Sequence, residues 1–150
     1  MTDHIDKPPF KVVQIFTVEA TLRHRGEYLA RPANIPHAPQ QIGVSMGLQH
    51  ASDDKVTLVS VTLETTPNDG DEKALYDFSV QMLGIVEDVD RKAFDDRQLL
   101  EVVATIMFPF MRETVANLTG RGRFGPVWIN PFNIRGAVQT GPDEPDSEVK

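Results

Sequence analysis

Apolar and polar residues alternate from Phe10 to Leu22. Phe10, Val12, Phe16, Val18, Ala20 and Leu22 fall on one face, and Lys11, Val13, Ile15, Thr17, Glu19 and Thr21 on the other. A period of two carried by β-branched and aromatic residues predicts a strand. Some apolar character on its second face fits a strand covered on both sides. Arg23 to Gln40 holds Pro32, Pro36 and Pro39. Proline lacks a ladder N–H and pushes the preceding residue into extended geometry, so this reads as an irregular connection. A connection of that length crosses the sheet or carries function. Ile42, Val44, Met46 and Leu48 then face one way, with Gln41, Gly43, Ser45, Gly47 and Gln49 facing the other. Ala51-Ser52-Asp53-Asp54 is a turn, Val56 to Thr65 a third strand, and Pro67-Asn68-Asp69-Gly70-Asp71 a second turn. Leu75 to Val86 is a fourth strand, with Tyr76, Phe78, Val80 and Met82 on one face. Turns this short make strands two, three and four antiparallel neighbours.

The period then changes. Leu99, Leu100, Val103, Ile106, Met107, Phe110, Met111, Val115 and Leu118 recur at spacings of three and four, which predicts a helix of about six turns. Asp95 or Asp96 is placed to cap its start, Pro109 to kink its middle, and Gly120 to end it. Arg121 to Pro126 is a Gly-rich loop, Val127-Trp128-Ile129 a short extended piece, and Asn133 a cap for a short helix through Val138. The fold class is α+β: a four-stranded antiparallel sheet, a long kinked helix and a short C-terminal helix. Residues 10–140 form the domain, flanked by a disordered N-terminus at 1–9 and a disordered acidic tail at 141–150.

Composition narrows the chemistry. The chain has 150 residues, with 15 Lys+Arg against 22 Asp+Glu for a net charge of −7, and no cysteine. An acidic balance speaks against a nucleic-acid surface. Lack of cysteine removes disulfides and thiolate chemistry and fits a reducing compartment. The start has no secretory pattern, and no apolar run approaches the roughly 20 residues of a membrane span, so a cytoplasmic location is expected. Gly120-Arg121-Gly122-Arg123-Phe124-Gly125 spells G-x-G-x-x-G but follows a helix and runs into Pro126, so it reads as a flexible cap and linker. His4, His24, His37 and His50 lack metal-ligand spacing and read as solvated loop residues. Glu87, Asp88 and Asp90 lack calcium-loop spacing, and no serine sits in a nucleophile elbow. Neither an enzyme, a cofactor nor a metal site is expected. What remains is apolar surface. One helix cannot cover both faces of a sheet too small to close, and two edges stay open, which points to self-assembly and a hydrophobic groove. Alternatively Phe124, Trp128 and Phe132 complete the monomer core, and a different class is a monomeric ligand-binding module, a curved sheet gripping a helix around a small apolar molecule.

Phe108-Pro109-Phe110-Met111-Arg112-Glu113-Thr114-Val115 resembles the long helix of the SecB family of protein-export chaperones. Arg121-Gly122, Phe124, Pro126, Val127-Trp128-Ile129 and Asn130-Pro131-Phe132-Asn133 resemble the family's segment C-terminal to that helix. Gln14 to Ala20 is similar to its first strand and Gly84-Ile85 to the end of its fourth. The similarity runs over about residues 10 to 139.

The resemblance implies a homotetramer, a dimer of dimers, whose grooves hold unfolded precursor polypeptides without ATP. Client contacts would fall on Phe16, Ile42, Val44, Met46, Tyr76, Phe78, Phe124 and Trp128. Met107, Phe110, Met111, Arg112 and Glu113 would lie at subunit contacts. Non-directional apolar burial and adaptable Met and aromatic linings suit varied clients. Export members dock the motor ATPase SecA through acids on the outer sheet. Glu19 matches one of these, whereas Arg23 and Ser79 stand where the family has others, and the crossover lacks the family's Trp. A relative of this kind dedicated to an antitoxin is the alternative. Sedimentation separates a tetrameric chaperone from a monomeric ligand module.

Overall fold

The computed structural model describes residues 8–24, 42–53, 55–65, 76–130 and 133–139. Of the N-terminus expected to be disordered at 1–9, residues 1–7 lie outside the described residues, as do the tail at 141–150, most of the proline-rich connection, the turn at 67–71 and Pro131-Phe132. The elements are β1 (Lys11–His24), β2 (Ile42–His50), β3 (Val56–Thr65), β4 (Tyr76–Glu87), α1 (Asp96–Gly120) and α2 (Ile134–Gln139). The strands form one antiparallel sheet in the order β1-β4-β3-β2, which leaves β1 and β2 at the edges.

Opposed residues of an antiparallel pair share a face. The register sets Met46 opposite Val61 and Val61 opposite Met82, and Val44 opposite Leu63 and Leu63 opposite Val80. One apolar row per strand therefore points to the same side, and α1 lies across it. Val59, Leu63, Val80 and Val86 of the sheet and Val103, Met107, Met111 and Val115 of the helix are all 0% exposed. Alternation thus fixes the covered face of three strands directly, because each side chain would otherwise move to the wrong side.

The first strand departs from its expected faces. Register shifts between Val12 and Gln14 and between Thr17 and Glu19 interrupt its pairing with β4. Each is a bulge, where an extra residue resets the parity of those that follow. Val12, Ile15, Thr17, Ala20 and Leu22 oppose the inward residues of β4, whereas Phe16 opposes the outward Leu83. Ile15 packs against the core, and Val13 and Val18 at the bulges are exposed. Phe16 therefore shares no face with Val12, Ala20 and Leu22, correcting the uninterrupted period of two.

Helix α1 starts on a capping box. The Asp95 carboxylate accepts from the Gln98 N–H at 2.8 Å, and the Gln98 side chain accepts from the Asp95 N–H at 3.0 Å. The helix runs on through Pro109 to Gly120, with Arg121 as its C-cap. At α2, the Asn133 side chain accepts from the Gly136 N–H at 3.1 Å, as its sequence position predicts.

Candidate functional site

The helix has two apolar sides. Leu99, Val103, Ala104, Met107, Met111, Val115, Ala116 and Thr119 are buried. One position away in sequence, Ile106 remains 39% and Phe110 49% exposed. Beyond the helix, the chain returns along it in extended form. The Val127 N–H donates to Thr119 Oγ1 at 2.7 Å, and that hydroxyl donates to the Val115 carbonyl at 2.7 Å. Thr119 is fully buried, so the anchor is shielded from water. Alternation from this anchor turns Ile129 into the core and Trp128 outwards, where 69% of it is exposed. Trp128, Pro109, Arg112, Glu113, Ala116 and Asn117 line an open pocket of about 290 Å³. Arg112 stacks over Phe108 with its guanidinium carbon 6.0 Å from the ring centre. Its Nε is buried without a hydrogen-bond partner among the described residues. A pocket walled by Trp128 and lined by the Arg112 guanidinium suits an apolar group that brings an acceptor, such as a peptide carbonyl or carboxylate.

The other expected site residues are spread over the molecule. Ile42, Val44 and Met46 lie half-buried on edge strand β2, packed against the core from the covered face. Phe16 is half-buried on the opposite face, beside Leu83, with Ile85 and Leu58 next along that face. Glu19 is exposed on the same outer face, opposite Gln81. Tyr76 and Phe78 are 1% and 3% exposed, under the helix and the loop after it. Met107 and Met111 face the sheet within their own chain, while Phe110 and Glu113 face away from it.

Tyr76 organises that loop. Its hydroxyl accepts from the Phe124 N–H at 2.7 Å and donates to the Gly125 carbonyl at 3.0 Å. Phe124 tilts over its ring at 6.0 Å between centroids. Gly122 passes so close that a Cβ there would lie 2.6 Å from the ring, and Gly125 takes φ +81. The glycines expected to make a flexible linker instead allow close approach and a left-handed turn. Burial pushes the Tyr76 hydroxyl above its usual value of 10.0, and the Phe124 hydrogen bond partly offsets this.

Two histidines read as solvated loop residues are in fact partnered strand ends. His24 Nε2 accepts from the Arg123 N–H at 3.0 Å, and its ring meets Tyr76 edge-on at 5.2 Å. His50 Nδ1 lies 3.0 Å from Arg91 Nη2 and 3.0 Å from Thr57 Oγ1, and its Nε2 lies 2.9 Å from an Asp96 carboxylate oxygen. Both are missed from sequence because their partners are 99 and 46 residues away. Among the described residues no group of His, Asp and Glu is placed to hold a metal ion, and no helix is long and apolar enough to cross a membrane.

Three comparisons bear on this arrangement. The profile of a family described as preprotein translocase subunit SecB matches residues 5–140. The protein-export protein SecB of Nitrosomonas eutropha is 25% identical over 93% of this chain and 87% of its own length. That of Nitrosomonas europaea is 24% identical over 97% and 94%. Among solved structures, a Mycobacterium tuberculosis SecB-like chaperone in complex with a ChAD peptide from the HigA1 antitoxin superposes with a TM-score of 0.57 at 11% identity, covering 83% of this chain and 91% of that one. This last similarity is one of fold.

Proposed function

The chain belongs to the SecB family, and on that premise we propose that it is an ATP-independent holdase that keeps non-native polypeptides from aggregating. Family membership supports a chaperone role. The observation that carries the holdase reading is the apolar surface a single chain leaves bare: Ile106, Phe110 and Trp128 around an open pocket. Such surface, interrupted by Arg112 and Glu113, is what an interaction face offers. We divide it between two occupants. Ile106 and Phe110 meet other copies in a homotetramer. Trp128, half-buried Phe124 and the β2 edge residues Ile42, Val44 and Met46 receive client. Phe16 extends the client surface onto the outer face, whereas Tyr76 and Phe78 support the floor and reach client only when the overlying loop lifts. The Mycobacterium tuberculosis chaperone of the same fold holds a peptide, which supports polypeptide clients here. Delivery to SecA, with exposed Glu19 as a docking acid, is the export form of this reading.

The test is aggregation of a chemically denatured protein diluted into buffer with the purified chain and no nucleotide, alongside sedimentation equilibrium. A holdase suppresses aggregation at stoichiometric concentration and sediments near four chains. A single-chain species that leaves aggregation unchanged would overturn the proposal.

A further inference from the structure

Helix α1 crosses the sheet from one corner to the opposite one, and each corner is tied by a histidine. At its start, His50 at the end of β2 meets Asp96 in the first turn. Past its end, His24 at the end of β1 meets Arg123 in the adjoining loop. The hydrogen bonds assign the ring protons. A guanidinium and a backbone N–H can only donate, so His50 accepts from Arg91 through Nδ1, and His24 accepts from Arg123 through Nε2. The His50 proton therefore sits on Nε2, pointing at Asp96, and the His24 proton sits on Nδ1.

We propose that His24 is a pH-sensitive latch on the loop 121–125, and that His50 holds the other corner in both protonation states. A charged imidazole donates through both nitrogens and accepts through neither. At His24, protonation turns the acceptor for the Arg123 N–H into a second donor facing it, and the bond is lost. At His50, protonation costs the Arg91 bond but adds charge to the existing contact with the Asp96 carboxylate. The two corners thus respond differently to the same proton. The groups facing His24 support this asymmetry. From β4 it meets the Tyr76 ring, and from the loop it meets Arg123, whose guanidinium lies over Phe124 at 5.8 Å. The adjacent pair Arg23 and Asp77 is directed to the other face of the sheet. The loop residue against the ring, Arg123, is itself a cation. Tyr76 still holds the loop through Phe124 and Gly125, so protonation loosens it and does not release it.

The inference rests on hydrogen-bond chemistry and is independent of the chaperone reading. It is tested by amide hydrogen exchange of Arg123, followed by NMR and corrected for intrinsic exchange, at about pH 7.5 and about pH 5.5. Protection at Arg123 should fall about tenfold at the lower pH, the effect of losing one hydrogen bond. His24→Gln places an amide oxygen near the Nε2 position without a titratable group, and should keep its protection at both values. His50→Gln should retain the wild-type response. Equal Arg123 protection at both values in the unsubstituted chain would overturn the proposal, as would an undiminished pH response in His24→Gln.

Discussion

The two sides of α1 differ by single steps along the chain. Met107 and Met111 are fully buried against the sheet, whereas their neighbours Ile106 and Phe110 are among the most exposed large apolar residues described. Apolar character does not distinguish these four positions. A turn of about 100° per residue does, because it sends adjacent side chains to different surroundings. The inner side contributes to folding of one chain. The outer side leaves Ile106 and Phe110 exposed, and under the proposed function these residues meet other copies of the chain.

Substitutions can break or sharpen this contrast. Met111→Ala removes a fully buried side chain and should cost about 2–5 kcal/mol, read from the urea midpoint of unfolding. Phe110→Asp on the outer side should leave the far-UV spectrum intact and weaken assembly by about 2 kcal/mol or more, read by sedimentation. A comparable loss of secondary structure from both would erase the difference between the sides. At the helix end, Tyr76→Phe strands the Phe124 N–H and the Gly125 carbonyl and should cost about 1–3 kcal/mol. The same hydroxyl gives an alkaline signature. Its folded-state value is raised above 10.0, so its contribution is whole below pH 10.0 and disappears as pH rises through the raised value. Tyr76→Phe should remove that part of the alkaline unfolding curve. Asp95→Ala deletes the capping box and should cost about 1 kcal/mol by thermal unfolding. Trp128→Ala should be the mildest, changing stability by no more than about 0.5 kcal/mol. Its expected effect is on client retention in the aggregation assay, and unaltered suppression would remove Trp128 from the client surface.

The inner side was legible because burial leaves a period. Met46, Val61 and Met82 follow from alternation, and Met107 and Met111 from helical spacing. The same rule marks Tyr76 and Phe78 as buried in β4, although the family resemblance offers them as client contacts. The faces of β1 were not legible, since a bulge adds one residue without changing the local character of the sequence. Trp128 was visible as a candidate, but its outward direction depends on the bond between Val127 and Thr119, which no local pattern announces. The corner histidines were hidden for the same reason. Their partners come together only when the helix lies diagonally over the sheet.

The bulges of β1 carry one more consequence. A long straight border invites extended polypeptides to add to it and seed fibres, a hazard for a chain proposed to hold denatured ones. Here the regular stretches are Gln14 to Thr17 and Glu19 to His24, and the second bears charges at Glu19 and Arg23. Neither offers the uninterrupted, uncharged run of about six residues on which amyloid stacking is built. The irregularities that obscure this strand in the sequence thus make its rim a poor template for the material the molecule is proposed to handle.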